Sequence, residues 1–160
     1  RTGAMFFVDP VAAFRNVGRA LRPGGRLVLL VWQSLQQNHW LRDFAGALAG
    51  GRPPQPPPPD APGPLSWADP RRVDRILTGS GFTDVGCHGV ERPMYFGATG
   101  DQAQAFVQGL GLVQGALRAL DADGRRRALD ALRASIDDHL TDEGVLYPSA
   151  AWIVTARRAA

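Results

Sequence analysis

The chain has 160 residues, of which 44% are hydrophobic, and a formal net charge of +3. This length suffices for one domain with a real core, and its apolar runs are far shorter than the roughly 18 residues that cross a bilayer, which argues against a membrane span. All 18 Lys-or-Arg positions are Arg, which indicates the codon bias of a GC-rich, bacterial genome. The arginine cluster 125–127 lies beside aspartates, so the charge pattern argues against nucleic acid as a partner.

Cys87 is the only cysteine of the chain. A disulfide framework or a thiolate metal cage therefore cannot be built, and we expect Cys87 at a half-buried strand position in a cytoplasmic protein. His88 and His139 have no carboxylate or cysteine at ligand spacing, so no metal site is expected. The sequence opens without an initiator Met and in the middle of a structural pattern. This start predicts a fragment of a longer protein.

The first two predicted elements are joined by a short turn. Asp9 followed by Pro10 is typical of a helix start, because the carboxylate caps free N–H groups and proline has none to lose. The helix ends at the sequence LRPGG, residues 21–25, where proline stops the helix and the glycines permit a reversal. The next segment, RLVLLVW, is apolar on both faces, which predicts an interior strand of a sheet covered by helices on both sides.

The next part of the chain combines a short helix with a proline-rich segment. Residues 38–49 place large apolar side chains at helical spacing. Residues 51–64 hold eight of the 13 prolines, a composition that favours extended polyproline II. We interpret this segment as a surface lid or linker within the domain and expect residues 52–64 to be mobile and exposed. A ligand for a proline-reading domain is the alternative interpretation.

The remaining half of the chain is predicted to alternate helices and strands. Asp69 and the proline after it repeat the helix-start signal, and a single strand is predicted over residues 82–96, where Pro93 indicates a bend or an edge position. Two helices are predicted next, capped by Asp101 and Asp121. The sequence AAWIVTARR predicts a buried strand that closes the chain.

This order of elements, together with four sequence segments, resembles the C-terminal half of class I S-adenosylmethionine-dependent methyltransferases. Within that family the chain is similar to the group that includes the ubiquinone and menaquinone biosynthesis C-methyltransferases. The segments are residues 3–32, 37–40 (QNHW), 67–85 and 150–157. The LRPGG junction before the fifth strand of the family is the most specific of these features. The likeness is weakest over residues 97–147.

The resemblance implies an α/β fold with a three-layer, Rossmann-like sheet of seven strands, the last antiparallel to the rest. On this mapping the chain supplies strands five to seven, over Arg26–Trp32, 82–96 and 151–157. The resemblance also implies S-adenosylmethionine as cofactor and a small-molecule methyl acceptor. The family's glycine-rich turn, acidic residue and polar loop that bind the cofactor are not found here. We therefore expect a single partial methyltransferase domain, residues 1–160, that is inactive alone.

Five residues are predicted to bind the substrate. In open α/β sheets ligands bind beyond the C-terminal ends of the strands, and the first strand of this chain points Trp32 at that crevice. Met5 and Phe6 are expected beside it, and the helix that holds His39 and Trp40 follows. In the family this region forms the acceptor side of the pocket. His39 could also act as a base toward an acceptor hydroxyl, and core or surface positions are the alternative for each of the five.

Two functions stay open from the sequence. The first is the substrate-side half of a small-molecule methyltransferase. The second is a stand-alone, non-catalytic module that binds an apolar ligand or pairs with itself. Self-association is expected through the sheet edge, because a strand without a neighbour exposes unpaired backbone groups that recruit partners.

Overall fold

The computed structural model describes residues 2–49, 58 and 61–160. The helices are α1 (Pro10–Ala20), α2 (His39–Leu48), α3 (Pro70–Gly79), α4 (Gly100–Gly109), α5 (Gly111–Arg118) and α6 (Ala122–Asp138). The strands are β1 (Arg26–Trp32), β2 (Phe82–Glu91), β3 (Met94–Gly97), β4 (Leu140–Thr141), β5 (Gly144–Tyr147) and β6 (Ala150–Arg158). Short 3-10 turns cover Ala4–Phe6 and Leu35–Gln37. Most of the proline-rich segment 51–64, the predicted lid, lies outside the described residues.

The described chain forms two compact units, each made of segments that are distant in sequence. The first unit takes in the described residues of 1–37, 57–91 and 150–160, and the second takes in those of 38–56 and 92–149. The first unit therefore contains α1, α3 and the long strands, whereas the second contains the other helices and the short strands. In the described residues, no helix is both long enough and apolar enough to cross a membrane.

Helix starts follow the capping signals of the sequence at three places. The side chains of Asp9, Asp69 and Asp121 accept hydrogen bonds from backbone N–H groups in the first turns of α1, α3 and α6. The three predicted starts are confirmed, because a carboxylate at this position satisfies donors that have no partner within the helix.

The LRPGG junction forms the predicted reversal between α1 and β1. Gly24 has a φ of +71°, a conformation open to glycine at little cost. Gly25 has no room for a side chain, because a Cβ there would lie 2.7 Å from the carbonyl oxygen of Arg22. The backbone N–H of Arg158 donates to the carbonyl of Gly25 at 2.8 Å. The turn is thereby fixed to the last strand of the sheet.

The sheet of the first unit has the strand order β1–β6–β2. The last strand, β6, lies in the centre and is antiparallel to both neighbours. The prediction that the last strand is antiparallel is confirmed for these three strands. The register places Val31 opposite Trp152 and His88 opposite Ile153. A bulge between Thr83 and Gly86 interrupts the second pairing.

The two faces of this sheet differ in burial. One face packs its aliphatic side chains, such as Val31 and Val154, against Phe14 of α1 and Leu77 of α3 in one core. On the other face Val28 is 52% exposed and Ile153 is 38% exposed. Within the described residues, β1 pairs with β6 alone and is an edge strand. β1 is apolar on both faces, as expected, but one face is left toward solvent, so the prediction that both faces are covered is wrong. The exposed sheet edge expected for this chain is present in the described residues.

The strand predicted over residues 82–96 is divided in the structure, so that prediction is wrong. β2 ends at Glu91, and Met94–Gly97 pairs instead with β5 in a second sheet of order β3–β5–β4. Pro93 lies between the two strands; proline has no N–H to donate to a sheet, which favours a break there. This small second sheet was not expected from the sequence.

The helix predicted to begin at Asp101 also differs. Thr99 is the N-cap of α4, where its side chain accepts a hydrogen bond from the N–H of Gln102 at 3.3 Å. Asp101 instead pairs with Arg133 of α6 at 2.5 Å. The helix breaks at Leu110, whose ψ of 131° is extended, and α5 follows. Glycines on both sides of Leu110 weaken a helix interior, which accounts for three helices in place of the predicted two.

The core of the second unit is aromatic. Phe44 of α2, Phe96 of β3 and Tyr147 of β5 contact one another edge-to-face, with ring centroids 5.2–5.4 Å apart. Leu132 and Ile136 of α6 are fully buried in the same unit. Edge-to-face aromatic pairs each add about 0.5–1.5 kcal/mol beyond the area they bury, so this cluster fixes how the short strands meet the helices.

Candidate functional site

Met5 contacts the carboxyl end of β1 through a hydrogen bond and is buried in the core. The Met5 side chain is 1% exposed, and its Sδ accepts a hydrogen bond from the backbone N–H of Trp32 at 3.4 Å. The Met5 carbonyl accepts from the N–H of Gly63 at 3.0 Å and from the hydroxyl of Ser66 at 2.7 Å. Met5 therefore joins three segments of the first unit. Trp32 is half-buried and packs against the same core.

Phe6 follows Met5 and turns outward, with 55% of its surface exposed. Phe7 is 45% exposed and contacts Phe14 edge-to-face, and Val8 is 88% exposed. Large apolar side chains at this exposure are available to an apolar ligand or partner. Of the three predicted site residues in this unit, Phe6 is the one that solvent reaches most freely.

Gln33 was not singled out by the sequence, yet it holds the end of β1 in place. Its side chain is 3% exposed. The backbone N–H donates to the carbonyl of Ala150 at 3.0 Å, and Nε2 donates to the carbonyl of Ala151 at 2.9 Å. A Cβ on Gly89 would lie 3.2 Å from Nε2, so the glycine makes room for this amide. A polar residue directly after an apolar strand is the signal that could have identified it.

His39 and Trp40, the other two predicted residues, belong to the second unit. His39 begins α2 and is half-buried, and its backbone N–H donates to the carbonyl of Pro148 at 3.1 Å. Trp40 is 5% exposed and lies against Phe44 and Phe96, with ring centroids 6.1 and 6.2 Å away. The structure thus divides the five predicted residues between the two units. Their role in substrate binding stays a prediction.

A titratable cluster in the second unit was missed by the sequence analysis. His139 stacks on the ring of Tyr147, with centroids 3.8 Å apart and planes 14° apart. Its Nδ1 donates to the carbonyl of Ser135 at 2.8 Å, because a carbonyl can only accept. Its Nε2 lies 3.8 Å from a carboxylate oxygen of Asp43. Both ring nitrogens face protein groups, so the imidazole is placed to hold α2 near the end of α6 rather than to exchange protons with a ligand.

The hydroxyl of Tyr147 completes this cluster. It shares a hydrogen bond of 2.9 Å with the hydroxyl of Ser135. Burial raises the pKa of Tyr147 to about 12, and the charges of Asp43 and Asp138 act in the same direction. The phenol is therefore neutral near pH 7 and serves as a hydrogen-bonding group. Only the tertiary structure brings its members together, so no local sequence signal marks the cluster.

Cys87 is a half-buried thiol on β2. Burial raises its pKa, and the negative charge of Asp74 raises it further. A nucleophilic cysteine needs the opposite shift, because the thiolate is the reactive form. Among the described residues, no group of three or more His, Cys, Asp or Glu side chains could hold a metal ion.

The described residues do not form the strand-to-helix glycine turn that a dinucleotide or nucleoside cofactor requires. Gly24 and Gly81 have positive φ, but each lies in a turn that leads from a helix into a strand. They are therefore at the amino ends of β1 and β2, opposite the end where ligands of open α/β sheets bind.

No family model and no curated protein matches the sequence. In structure, the chain is similar to a crystal structure from Bacillus halodurans that is provisionally classed as a methyltransferase, with 12% sequence identity and a TM-score of 0.49. The match covers 100% of this chain and 68% of the other. Similarity at this level does not assign an activity to the chain, whose fold is α/β with small antiparallel sheets.

Proposed function

We propose that this chain forms the acceptor side of an S-adenosylmethionine-dependent methyltransferase that acts on a small molecule in the cytoplasm. The observation that supports this most directly is the position of β6, antiparallel between β1 and β2. The sequence resemblance requires such an antiparallel last strand, and a helix-to-strand turn of the LRPGG type before β1. In this proposal β1, β2 and β6 correspond to strands five, six and seven of the family.

We propose acceptor contacts in the first unit at the carboxyl end of β1 and, separately, a role as base for His39 at the start of α2 in the second unit. Phe6 is exposed and Trp32 is half-buried, so both can offer apolar surface to an acceptor. Met5 is buried and accepts a hydrogen bond from the backbone N–H of Trp32, which holds the end of β1 in position. His39 is preferred to His139 as the base toward an acceptor hydroxyl, because both ring nitrogens of His139 already face protein groups.

Little covalent help is needed for this chemistry. A sulfonium methyl donor is already activated, so the protein aligns acceptor, methyl group and sulfur and keeps water away. Apolar aromatic side chains with few titratable groups suit that task. This chain lacks the cofactor's glycine turn in its described part, so we propose that it binds the cofactor weakly and is inactive by itself.

Calorimetry with S-adenosylmethionine and S-adenosylhomocysteine tests the last point. We expect no saturation in the micromolar range for the isolated chain, and a micromolar Kd would overturn the assignment to the acceptor side. Sequencing the DNA upstream of the Arg1 codon tests the family assignment. An open frame that encodes a strand followed by a glycine-rich turn is expected; a stop codon directly upstream would contradict it.

The extended protein then tests the acceptor residues. With radiolabelled methyl donor and a panel of phenol and quinol acceptors, His39→Ala and Phe6→Ala are expected to lower kcat/KM. Gln36→Ala is the matched control, because Gln36 is exposed in the turn just before α2. Equal activity of all three variants would remove His39 and Phe6 from the site.

One observation favours the alternative, a non-catalytic module for an apolar ligand. A cleft of about 270 Å³ lies in the first unit between α1 and β1, lined by residues such as Phe14, Val17 and Leu29. An environment-sensitive dye, 1-anilinonaphthalene-8-sulfonate, probes it directly. Saturable binding of the dye that Leu29→Glu abolishes would favour the non-catalytic module. The extended form of the chain must then also show no methyl transfer.

A further inference from the structure

A cleft in the first unit is lined by three arginines from two elements. It is an open cleft of about 340 Å³ at the end of the sheet opposite the predicted acceptor site. Arg15 and Arg19 come from successive turns of α1, and Arg158 comes from the end of β6. Among the described residues that line the cleft, none is Asp or Glu. The volume lies at the lower end of the range for small-molecule sites.

The guanidinium groups are held by protein carbonyls but keep donors to spare. Arg15 donates to the carbonyl of Gly79 at 3.2 Å, and Arg158 donates to the carbonyl of Leu21. Arg19 donates to the side chain of Asn16 on its own helix. A guanidinium has five N–H donors, and the described hydrogen bonds use one from each arginine. The carbonyls thus orient the groups, and most donors are left for a ligand.

The charge balance of the cleft is positive even after the helix ends are counted. The carboxyl ends of α1 and α3 face this region and carry about −0.5 elementary charge each, and the carboxylate at Ala160, which also lines the cleft, carries one negative charge, against three full positive charges. An anion in the cleft would offset this excess of positive charge.

We propose that this cleft binds the phosphate group of a small molecule. Arginine suits this role, because its planar fork donates two parallel hydrogen bonds to phosphate oxygens. Ser80 and Gly81 form the floor. The Ser80 hydroxyl is turned inward and donates to the carbonyl of Ile76 at 2.6 Å, so the arginines supply the recognition. This inference does not rest on the proposed methyltransferase function.

A titration with sodium phosphate tests the proposal. The Nε–H groups of the arginines are followed by proton–nitrogen correlation spectroscopy, with sodium chloride at matched ionic strength as the reference. Saturable shifts are expected for Arg15, Arg19 and Arg158. Arg127, exposed on α6 in the second unit, is the internal control. Shifts that stay linear and equal at all four arginines would overturn the proposal, because they would report general ionic screening.

Two variants sharpen the test. Arg19→Gln is expected to weaken phosphate binding at least about tenfold, and Arg127→Gln is expected to leave it unchanged. Arg19 is chosen because its described hydrogen bond stays within its own helix, so the fold does not depend on it. A thermal unfolding transition of Arg19→Gln that matches the wild type verifies that the variant is folded. If Arg19→Gln is unfolded, Arg15→Gln replaces it as the test variant. Wild-type affinity in the folded variant would overturn the proposal.

Comparing the affinities of two ligands distinguishes a phosphorylated small molecule from free phosphate as the natural ligand. Adenosine 5′-monophosphate binding more tightly than inorganic phosphate would support a phosphorylated small molecule, and equal affinity would support free phosphate. Binding of single-stranded DNA with no response to either small anion would overturn the proposal in favour of a polyanion surface.

Discussion

Met5 and Trp32 meet through an unusual pair of atoms, the thioether sulfur of one and the backbone N–H of the other, 3.4 Å apart. Trp32 is the last residue of β1, so the hydrogen bond satisfies a donor on the outward edge of that strand. The contact links the start of the described chain to the carboxyl end of the sheet, where ligands of such sheets bind.

Met5→Ala is expected to lower the free energy of unfolding by about 2–5 kcal/mol, because it removes a buried side chain and leaves a cavity. Met5→Leu keeps most of the volume and is expected to cost less than about 1.5 kcal/mol. Denaturant unfolding measures both. A stability loss below about 0.5 kcal/mol for Met5→Ala would mean that Met5 lines an open pocket rather than the core.

Gln33→Ala is expected to destabilise the first unit by about 1–3 kcal/mol, because the Ala151 carbonyl loses the Nε2 donor in a buried place. Gln36→Ala, at an exposed position three residues later, is the control and should change stability little. Urea unfolding gives the comparison. Equal effects of the two substitutions would show that the amide contributes nothing specific.

The raised pKa of Tyr147 makes stability depend on alkaline pH. The folded-state pKa is about 12 and the ordinary value is 10.0, so the unfolded chain releases the proton first as pH rises. The contribution of Tyr147 to the free energy of unfolding is fully present below pH 10. It is lost as the pH rises from about 10 to about 12, and the total loss is about 2–3 kcal/mol. The chain has no Lys, which leaves few other groups to titrate in that range.

Tyr147→Phe is expected to flatten this alkaline loss, at the cost of about 1 kcal/mol at neutral pH for the hydrogen bond to Ser135. Tyr95→Phe is the matched control, since Tyr95 is 56% exposed. Guanidinium unfolding at pH 8 and at pH 11 measures both variants. An alkaline loss that persists in Tyr147→Phe would assign it to another group.

Self-association through β1 is expected to centre on Val28. The structure satisfies two outward groups of this strand: the Leu30 carbonyl accepts from the N–H of Thr2 at 2.9 Å, and the Trp32 N–H is bonded to Met5. Val28, 52% exposed, lies further along the same edge. Edge strands of this kind pair with other chains, and lysine on the edge prevents it.

Analytical ultracentrifugation of the chain is expected to show dimers or larger species, and Val28→Lys is expected to shift them toward monomer. Thr83→Lys on β2, another exposed strand position of the same sheet, is the control. A wild-type chain that sediments as a stable monomer with a sharp thermal transition would contradict the prediction and favour the stand-alone module.

Features that depend on near neighbours in the chain could be predicted from the amino-acid sequence. The caps at Asp9, Asp69 and Asp121, the reversal at LRPGG and the closing strand all follow from side chains that act on backbone within a few residues. The resemblance added the antiparallel direction of the last strand. Met5 and Trp32 were expected near one another, and they are in contact; their role toward a substrate stays a prediction.

Features that join distant parts of the chain could not be predicted in this way. The pairing of Met94–Gly97 in a second sheet and the exposure of Val28 depend on which surfaces are available for packing. The arginine cleft depends on contacts across 64 and 137 residues. Local propensity cannot encode such contacts, because their free energy arises only once the chain has folded and brought the groups together.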